Sequence, residues 1–172
     1  IGCGGIGQLR ARAIAQLPSH RLVAVSDAMA SRAVAMAASY RCQVEADWRA
    51  LVRRQDVDAV IVSTPPSLHA EMTIEGLENG KHVLCEKPLA RTSEECSRMI
   101  QVADRCRRVL ATGFNYRFYP SMQKARELLD AGTIGELNYV RSYAGYTAKD
   151  HNQEWLHDAA IMGGGALRDN GI

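Results

Sequence analysis

Two short runs in this chain carry the residue types and spacing that chemistry needs. The first is Gly2-Cys3-Gly4-Gly5-Ile6-Gly7, a GxGxxG, with Asp27 standing 20 residues after Gly7. Each glycine has a separate use. Gly2 allows a tight turn, Gly4 lets backbone approach a pyrophosphate, and Gly7 lets a helix pack close to a strand. The helix that starts there offers N–H groups to the anion. Asp27, at the end of the following strand, can accept hydrogen bonds from ribose hydroxyls and repels a 2′-phosphate, which favours NAD over NADP. Arg32 lies near enough to weaken that preference. A glycine turn of a flavodoxin-like fold, or a methyltransferase loop, is the competing reading.

The second run is Glu86-Lys87-Pro88, directly after the apolar His82-Val83-Leu84-Cys85. Open α/β sheets bind ligands outside the carboxyl ends of their strands. A lysine in that place can donate to a substrate hydroxyl or carbonyl and steady a developing alkoxide. Taken alone, Lys87 reads equally well as a solvated surface lysine.

These residues need a scaffold, and the hydrophobic periodicity supplies one. Helices are predicted over 6–17 (inward face Leu9, Ala13, Leu17), 30–39 (Ala30, Ala33, Val34, Ala37), about 67–79 with Gly80 as its cap, and 92–107 (Cys96, Met99, Ile100, Ala103). Thr92-Ser93-Glu94-Glu95 is a capping box for the last of these. A helical turn passes through Trp48, a core residue, and Leu51. Strands are predicted at 22–25, 42–44, 59–62, 82–85 and 109–112. Regular alternation of strand and helix implies a Rossmann-type α/β fold, a doubly wound parallel sheet covered on both faces. After Pro120 the pattern changes to a helix (122–129) and an alternating stretch (137–146) with Leu137, Tyr139, Arg141 and Tyr143 on one face. That stretch predicts a strand of a mixed sheet, the start of an α+β substrate domain. The division is therefore 1–116 and 117–172.

Composition narrows the function classes. The chain has 172 residues, 47% hydrophobic and 23% charged, with a formal net charge of +2. That is ordinary for a globular protein and too little charge to hold nucleic acid or a membrane surface by bulk electrostatics. No apolar run approaches the roughly 18 residues of a spanning helix. Five cysteines without a CxxC pair read as reduced thiols in a cytoplasmic protein. Cys3 and Cys85 read as small buried residues without an activating base. The chain starts without Met, one residue before the glycine turn. It reads as a piece of a longer protein.

Five segments in order also match one known family: Gly2–Gly7, Ser63-Thr64-Pro65-Pro66-Ser67-Leu68-His69, Cys85-Glu86-Lys87-Pro88-Leu89, Gly113-Phe114-Asn115-Tyr116-Arg117-Phe118 and Gly163-Gly164-Gly165-Ala166-Leu167-Arg168-Asp169-Asn170-Gly171. The chain resembles the glucose–fructose oxidoreductase, inositol dehydrogenase and MocA family of NAD(P)-dependent oxidoreductases over essentially its whole length. The resemblance implies that Lys87 is the catalytic lysine, preceding a cis Pro88. Asp169 is then the acid of an Asp-x-x-x-His pair whose histidine would come four residues later, so this piece by itself is expected not to turn over. Gly2, Gly4, Gly5, Ile6, Gly7, Asp27, Ser63, Thr64, Pro65, His69, Glu86 and Lys87 are implied as contacts of NAD, with NADP as an option. The family often has Asn where Pro66 stands.

Lys87, Asn115, Arg117, Trp155 and Asp169 are the candidate substrate residues, and the implied substrate is a sugar, inositol or other polyol, or its carbonyl form. A homo-oligomeric parent protein is implied too, and the piece is expected to expose part of its apolar sheet. A dinucleotide-binding sensor of the same fold is the alternative function, and a reductase acting on an imine or tetrapyrrole a weaker third. The Asp150, His151, His157 and Asp158 cluster matches no helix-face ligand pair, and no metal is expected. Arg98, Arg105, Arg107 and Arg108 read as a solvated helix face.

Overall fold

A computed structural model describes residues 1–143, 156 and 158–164. Helix α1 (Gly5–Ala15) opens directly on the glycine loop. It is followed by β1 (Ala24–Val25), α2 (Ala30–Tyr40), β2 (Gln43–Val44), α3 (Trp48–Arg53) and β3 (Ala59–Val62). A 3-10 turn (Pro66–Leu68) leads into α4 (His69–Glu78), then β4 (His82–Cys85), α5 (Ser93–Cys106) and β5 (Leu110–Thr112). A second 3-10 turn (Asn115–Phe118), α6 (Pro120–Asp130) and α7 (Ala159–Met162) complete the described elements.

All strand pairs are parallel: β1 with β2, β3 with β4, and β4 with β5. Residues 1 and 2 join the two groups. The Ile1 nitrogen donates to Ile61 O at 2.7 Å, Ser63 N–H donates to Ile1 O at 2.8 Å, and Gly2 N–H donates to Ser26 O at 2.8 Å. Ile1 and Gly2 therefore lie between β1 and β3, giving the order β2, β1, residues 1–2, β3, β4, β5. The glycine loop leaves the sheet at its centre, at the carboxyl end. This is the Rossmann fold read from the alternation of elements.

Local signals explain the helix ends. Thr92 accepts the Glu95 N–H at 3.2 Å, as the capping box requires. Glu95 turns its carboxylate back to the Arg91 N–H and guanidinium. Gly80 takes φ +78° just beyond α4, where its missing Cβ removes the left-handed penalty.

The stripes the helices bury overlap only in part with those periodicity suggests. In α1 the buried residues are Gly7 and Ala11, whereas Leu9 and Ala13 are exposed, as is Leu17 just beyond the helix. The docking face is chosen by close approach at Gly7, so the larger side chains rotate outward. In α2, Ala33, Met36 and Ala37 are buried and Val34 is exposed; Ala30 is exposed too. In α5, Val102 joins Met99 and Ala103, while Ile100 faces out. Two apolar clusters result: one around Val52, Val62, Leu77 and Met99, the other around Cys3, Ala11, Val25 and Ala33. Trp48 is half-buried at the edge of the first cluster.

The strand predicted over 137–146 is not formed in its described part, 137–143. Residues 137–143 carry no regular structure, and Tyr143 is 97% exposed. Alternation makes a strand only when its N–H and C=O groups find a ladder partner, and none pairs with it among the described residues. Residues 144–146 lie outside the described set.

Candidate functional site

The carboxyl ends of the strands enclose one large cleft of about 1950 Å³. Its wall runs from the glycine loop through Asp27 and Arg32, past Trp48 and the Ser63–Pro66 loop, to Glu86–Pro88 and Gly113–Arg117. Leu156 and Met162 line it too. The loop geometry depends on what its glycines lack. A Cβ at Gly2, whose φ is +89°, would sit 2.5 Å from Ser63 O, and one at Gly7 would sit 2.0 Å from Gly2 O. At Gly4 and Gly5 a Cβ would meet nothing within 4 Å, so the loop is open on the cleft side. Gly4 is the N-cap of α1 and offers no side-chain acceptor. The helix thus presents N–H groups to whatever anion occupies the loop.

Asp27 is oriented by backbone. Its Oδ2 accepts the Cys3 N–H at 2.6 Å and its Oδ1 accepts the Met29 N–H at 2.7 Å. Held in that way, the carboxylate keeps lone pairs for hydroxyl donors in the cleft. Cys3 is buried beneath the loop, with its thiol 3.7 Å from Ser26 O, and burial raises its pKa. Cys85 is fully buried behind the site, and burial pushes its thiol up to about 12. Both are poor nucleophiles at neutral pH.

At the other end, Glu86 and Lys87 emerge from β4, and the Lys87–Pro88 peptide is cis. Glu86 is buried and paired with Arg10. Lys87 is half-buried in the cleft wall. His69 does not line the cleft. It is fully buried, with Nδ1 2.8 Å from Pro88 O and Nε2 2.8 Å from Thr64 O. Each ring nitrogen faces a backbone carbonyl, and the ring wedged between them fixes the spacing between the Thr64 loop and the Lys87 segment. Thr64 Oγ1 turns away towards Met72 Sδ.

The cleft therefore gathers Gly2, Gly4, Gly5, Ile6, Asp27, Ser63, Thr64, Pro65, Glu86, Lys87, Asn115 and Arg117 from the sequence-predicted set. Gly7 and His69 act from behind it. Trp155 and Asp169 lie outside the described residues, as do Asp150, His151 and His157. Among the described residues no group of three His, Cys, Asp or Glu side chains could hold a metal ion. No described helix is long and apolar enough to cross a membrane. Three contributors escaped the sequence reading. Arg10 follows Gly7 by three residues, a spacing that could have placed it beside the loop. Trp48 lines the cleft as well as packing on the core. Gly113 leaves the space that Glu86 fills, and nothing in one dimension marks that.

A dinucleotide fits these residues: Gly2 and Gly7 permit the tight packing of loop, strand and helix, and Gly4 and Gly5 leave the loop open towards the cleft. Comparison with known proteins agrees. The family described as "Oxidoreductase family, NAD-binding Rossmann fold" matches residues 1–114, and the "GFO/IDH/MocA C-terminal domain" matches 122–172. The inositol 2-dehydrogenase of Rhizobium meliloti is 36% identical over 169 residues, covering 98% of this chain and 49% of that protein. The crystal structure of a putative myo-inositol dehydrogenase from Sinorhizobium meliloti superposes with a TM-score of 0.74 at 36% identity, covering 78% of this chain and 41% of the other. A 3-ketoreductase from Actinomadura kijaniata, solved in complex with NADP, gives 0.72 at 34%, covering 78% and 44%. The chain spans about half the length of the relatives it matches.

Proposed function

The chain belongs to the Gfo/Idh/MocA oxidoreductase family, and from that premise we propose that the protein carrying it moves hydride between a nicotinamide dinucleotide and a carbinol carbon of an inositol, sugar or other polyol. One observation carries the reading: a single cleft at the carboxyl ends of the strands is lined by the glycine loop, by Asp27 and by Lys87. When bound, the dinucleotide supplies the hydride acceptor or donor.

The chain's own residues do the rest. The α1 N-terminus and the Gly2–Gly7 loop receive the pyrophosphate. Asp27, held by two backbone N–H groups, accepts from the ribose and favours NAD, with Arg32 close by to temper the preference. Lys87 donates to the substrate oxygen and steadies negative charge as its proton leaves. Asn115 and Arg117, at the cleft mouth, contact the remaining hydroxyls. Asp169 is assigned by the family resemblance to the far side of the reacting carbon.

The test is to follow NADH formation by the purified whole protein that carries this chain over a panel of inositols, sugars and other polyols, with NADP in parallel. Turnover with at least one polyol, lost in Lys87→Ala while NADH still binds, supports the reading. Dinucleotide binding without turnover on any polyol, and with Lys87→Ala indifferent, would move the sensor alternative forward.

A further inference from the structure

We propose that Arg10 is a positioning residue that holds the nicotinamide end of the cleft in shape from behind, through Glu86 and Asn115. The functional part of this inference rests on the dinucleotide reading above. Arg10 sits on α1, the helix whose first turn cradles the anion, but it does not line the cleft. It borders a smaller space of about 370 Å³ behind the glycine loop. From there its guanidinium reaches Glu86 Oε1 through Nε and Nη2, each at 2.5 Å, and Nη2 also donates to Asn115 Oδ1 at 2.7 Å. Three chain segments far apart in sequence meet on this one planar group: the loop helix, the end of β4 beside Lys87, and the turn after β5.

The carboxylate is boxed from both sides. The Glu86 side chain is 9% exposed, and Arg10 occupies one of its oxygens. A Cβ at Gly113 would stand 2.5 Å from the other oxygen, so glycine there leaves the room the carboxylate uses. A buried carboxylate is tolerated only when paired and hydrogen-bonded, and removing its partner is far worse than removing the pair. Arginine suits this place better than lysine. Its rigid fork serves two acceptors at once, whereas one ammonium reaches a single one well. Because α1 carries both the anion-binding turn and Arg10, seating a dinucleotide on the loop also sets Glu86 beside Lys87 and Asn115 at the mouth.

The experiment is a cycle of Arg10→Gln, Glu86→Gln and the double variant, with Arg10→Lys and Gly113→Ala beside it. The readouts are thermal unfolding, backbone hydrogen exchange over residues 113–117, and NADH titration. Arg10→Gln should lower Tm by roughly 5 °C or more, and adding Glu86→Gln should restore part of that loss by removing the orphaned charge. A plain packing role for Arg10 predicts the same loss in either background. Arg10→Lys should keep most of the Tm yet speed exchange over 113–117. Arg10→Gln and Gly113→Ala should each weaken NADH about tenfold, equivalent to roughly 1.4 kcal/mol. Additive losses in the cycle, or an Arg10→Gln protein that unfolds and exchanges like the parent, would overturn the proposal. Failure of the unaltered protein to bind NADH would instead count against the dinucleotide reading, while the unfolding cycle and the exchange rates would still judge Arg10.

Discussion

Replacing Gly7 by alanine tests whether the glycine loop holds a dinucleotide by close helix packing. The alanine Cβ would stand 2.0 Å from Gly2 O, against the 3.4 Å at which ordinary contact begins, so helix and loop must separate there by about 1.4 Å. The obstructing atom is backbone and cannot rotate aside. Overpacking of this kind costs about 1–3 kcal/mol, and here the upper end is expected. The binding loss should be larger. Moving the α1 N-terminus by that amount takes hydrogen bonds of about 2.9 Å beyond useful range. Two such bonds to a charged pyrophosphate, at about 1.5–3 kcal/mol each, correspond to at least 100-fold in Kd. NADH fluorescence titration beside thermal unfolding separates the two effects. Arg12→Ala is the control: Arg12 is exposed on the same helix and does not line the cleft. It should bind within about threefold of the parent and melt within about 2 °C of it. A Gly7→Ala protein that binds NADH normally, or an Arg12→Ala protein that loses as much, would refute the reasoning.

Three further outcomes follow from the same structure. His69→Ala should destabilise the chain by about 3 kcal/mol, because it removes the ring's hydrogen bond to backbone and opens a cavity between the Thr64 and Pro88 segments; an unfolding free energy from urea within about 1 kcal/mol of the parent would contradict the clamp. At pH 8 the native protein should leave Cys85 unlabelled by iodoacetamide, since burial pushes its thiol up to about 12, while the half-buried Cys96 and Cys106 react; peptide mapping after timed quenching reads the order. Glu95, held below its ordinary value chiefly by the Arg91 hydrogen bond, contributes stability above the ordinary carboxylate range and loses it as pH falls through the folded value. The Tm gap between the parent and Glu95→Gln should therefore be present at pH 7 and close as pH falls below the ordinary carboxylate range; a gap that persists in strong acid would mean the pairing is not its source.

Much of the molecule is legible without coordinates because its signals are local. The GxGxxG works through φ angles and absent Cβ atoms that only glycine provides, and a capping box is satisfied within four residues. Strand and helix alternate at periods set by backbone geometry, which is why Ala59–Val62 and His82–Cys85 fall where the apolar runs are. The order of these elements is enough to put Asp27 and Lys87 at strand ends facing one cleft.

Other features were decided only by the fold. Periodicity says that a helix has an apolar stripe but not which face docks. In α1 the Gly7 contact turned Leu9 and Ala13 outward. The alternating run 137–143 has the composition of a strand and is none, because a ladder needs a partner that no local pattern supplies. His69 was readable as a cofactor-side residue, yet its two nitrogens face carbonyls 5 and 19 residues away. Arg10, 76 residues from Glu86 and 105 from Asn115, is out of reach of any local rule. Sequence alone determined which residue types could bind a dinucleotide and move a proton. The tertiary structure decided which side chains hold them in place, because a buried charge or hydrogen-bonding group is stable only where a distant segment brings its partner.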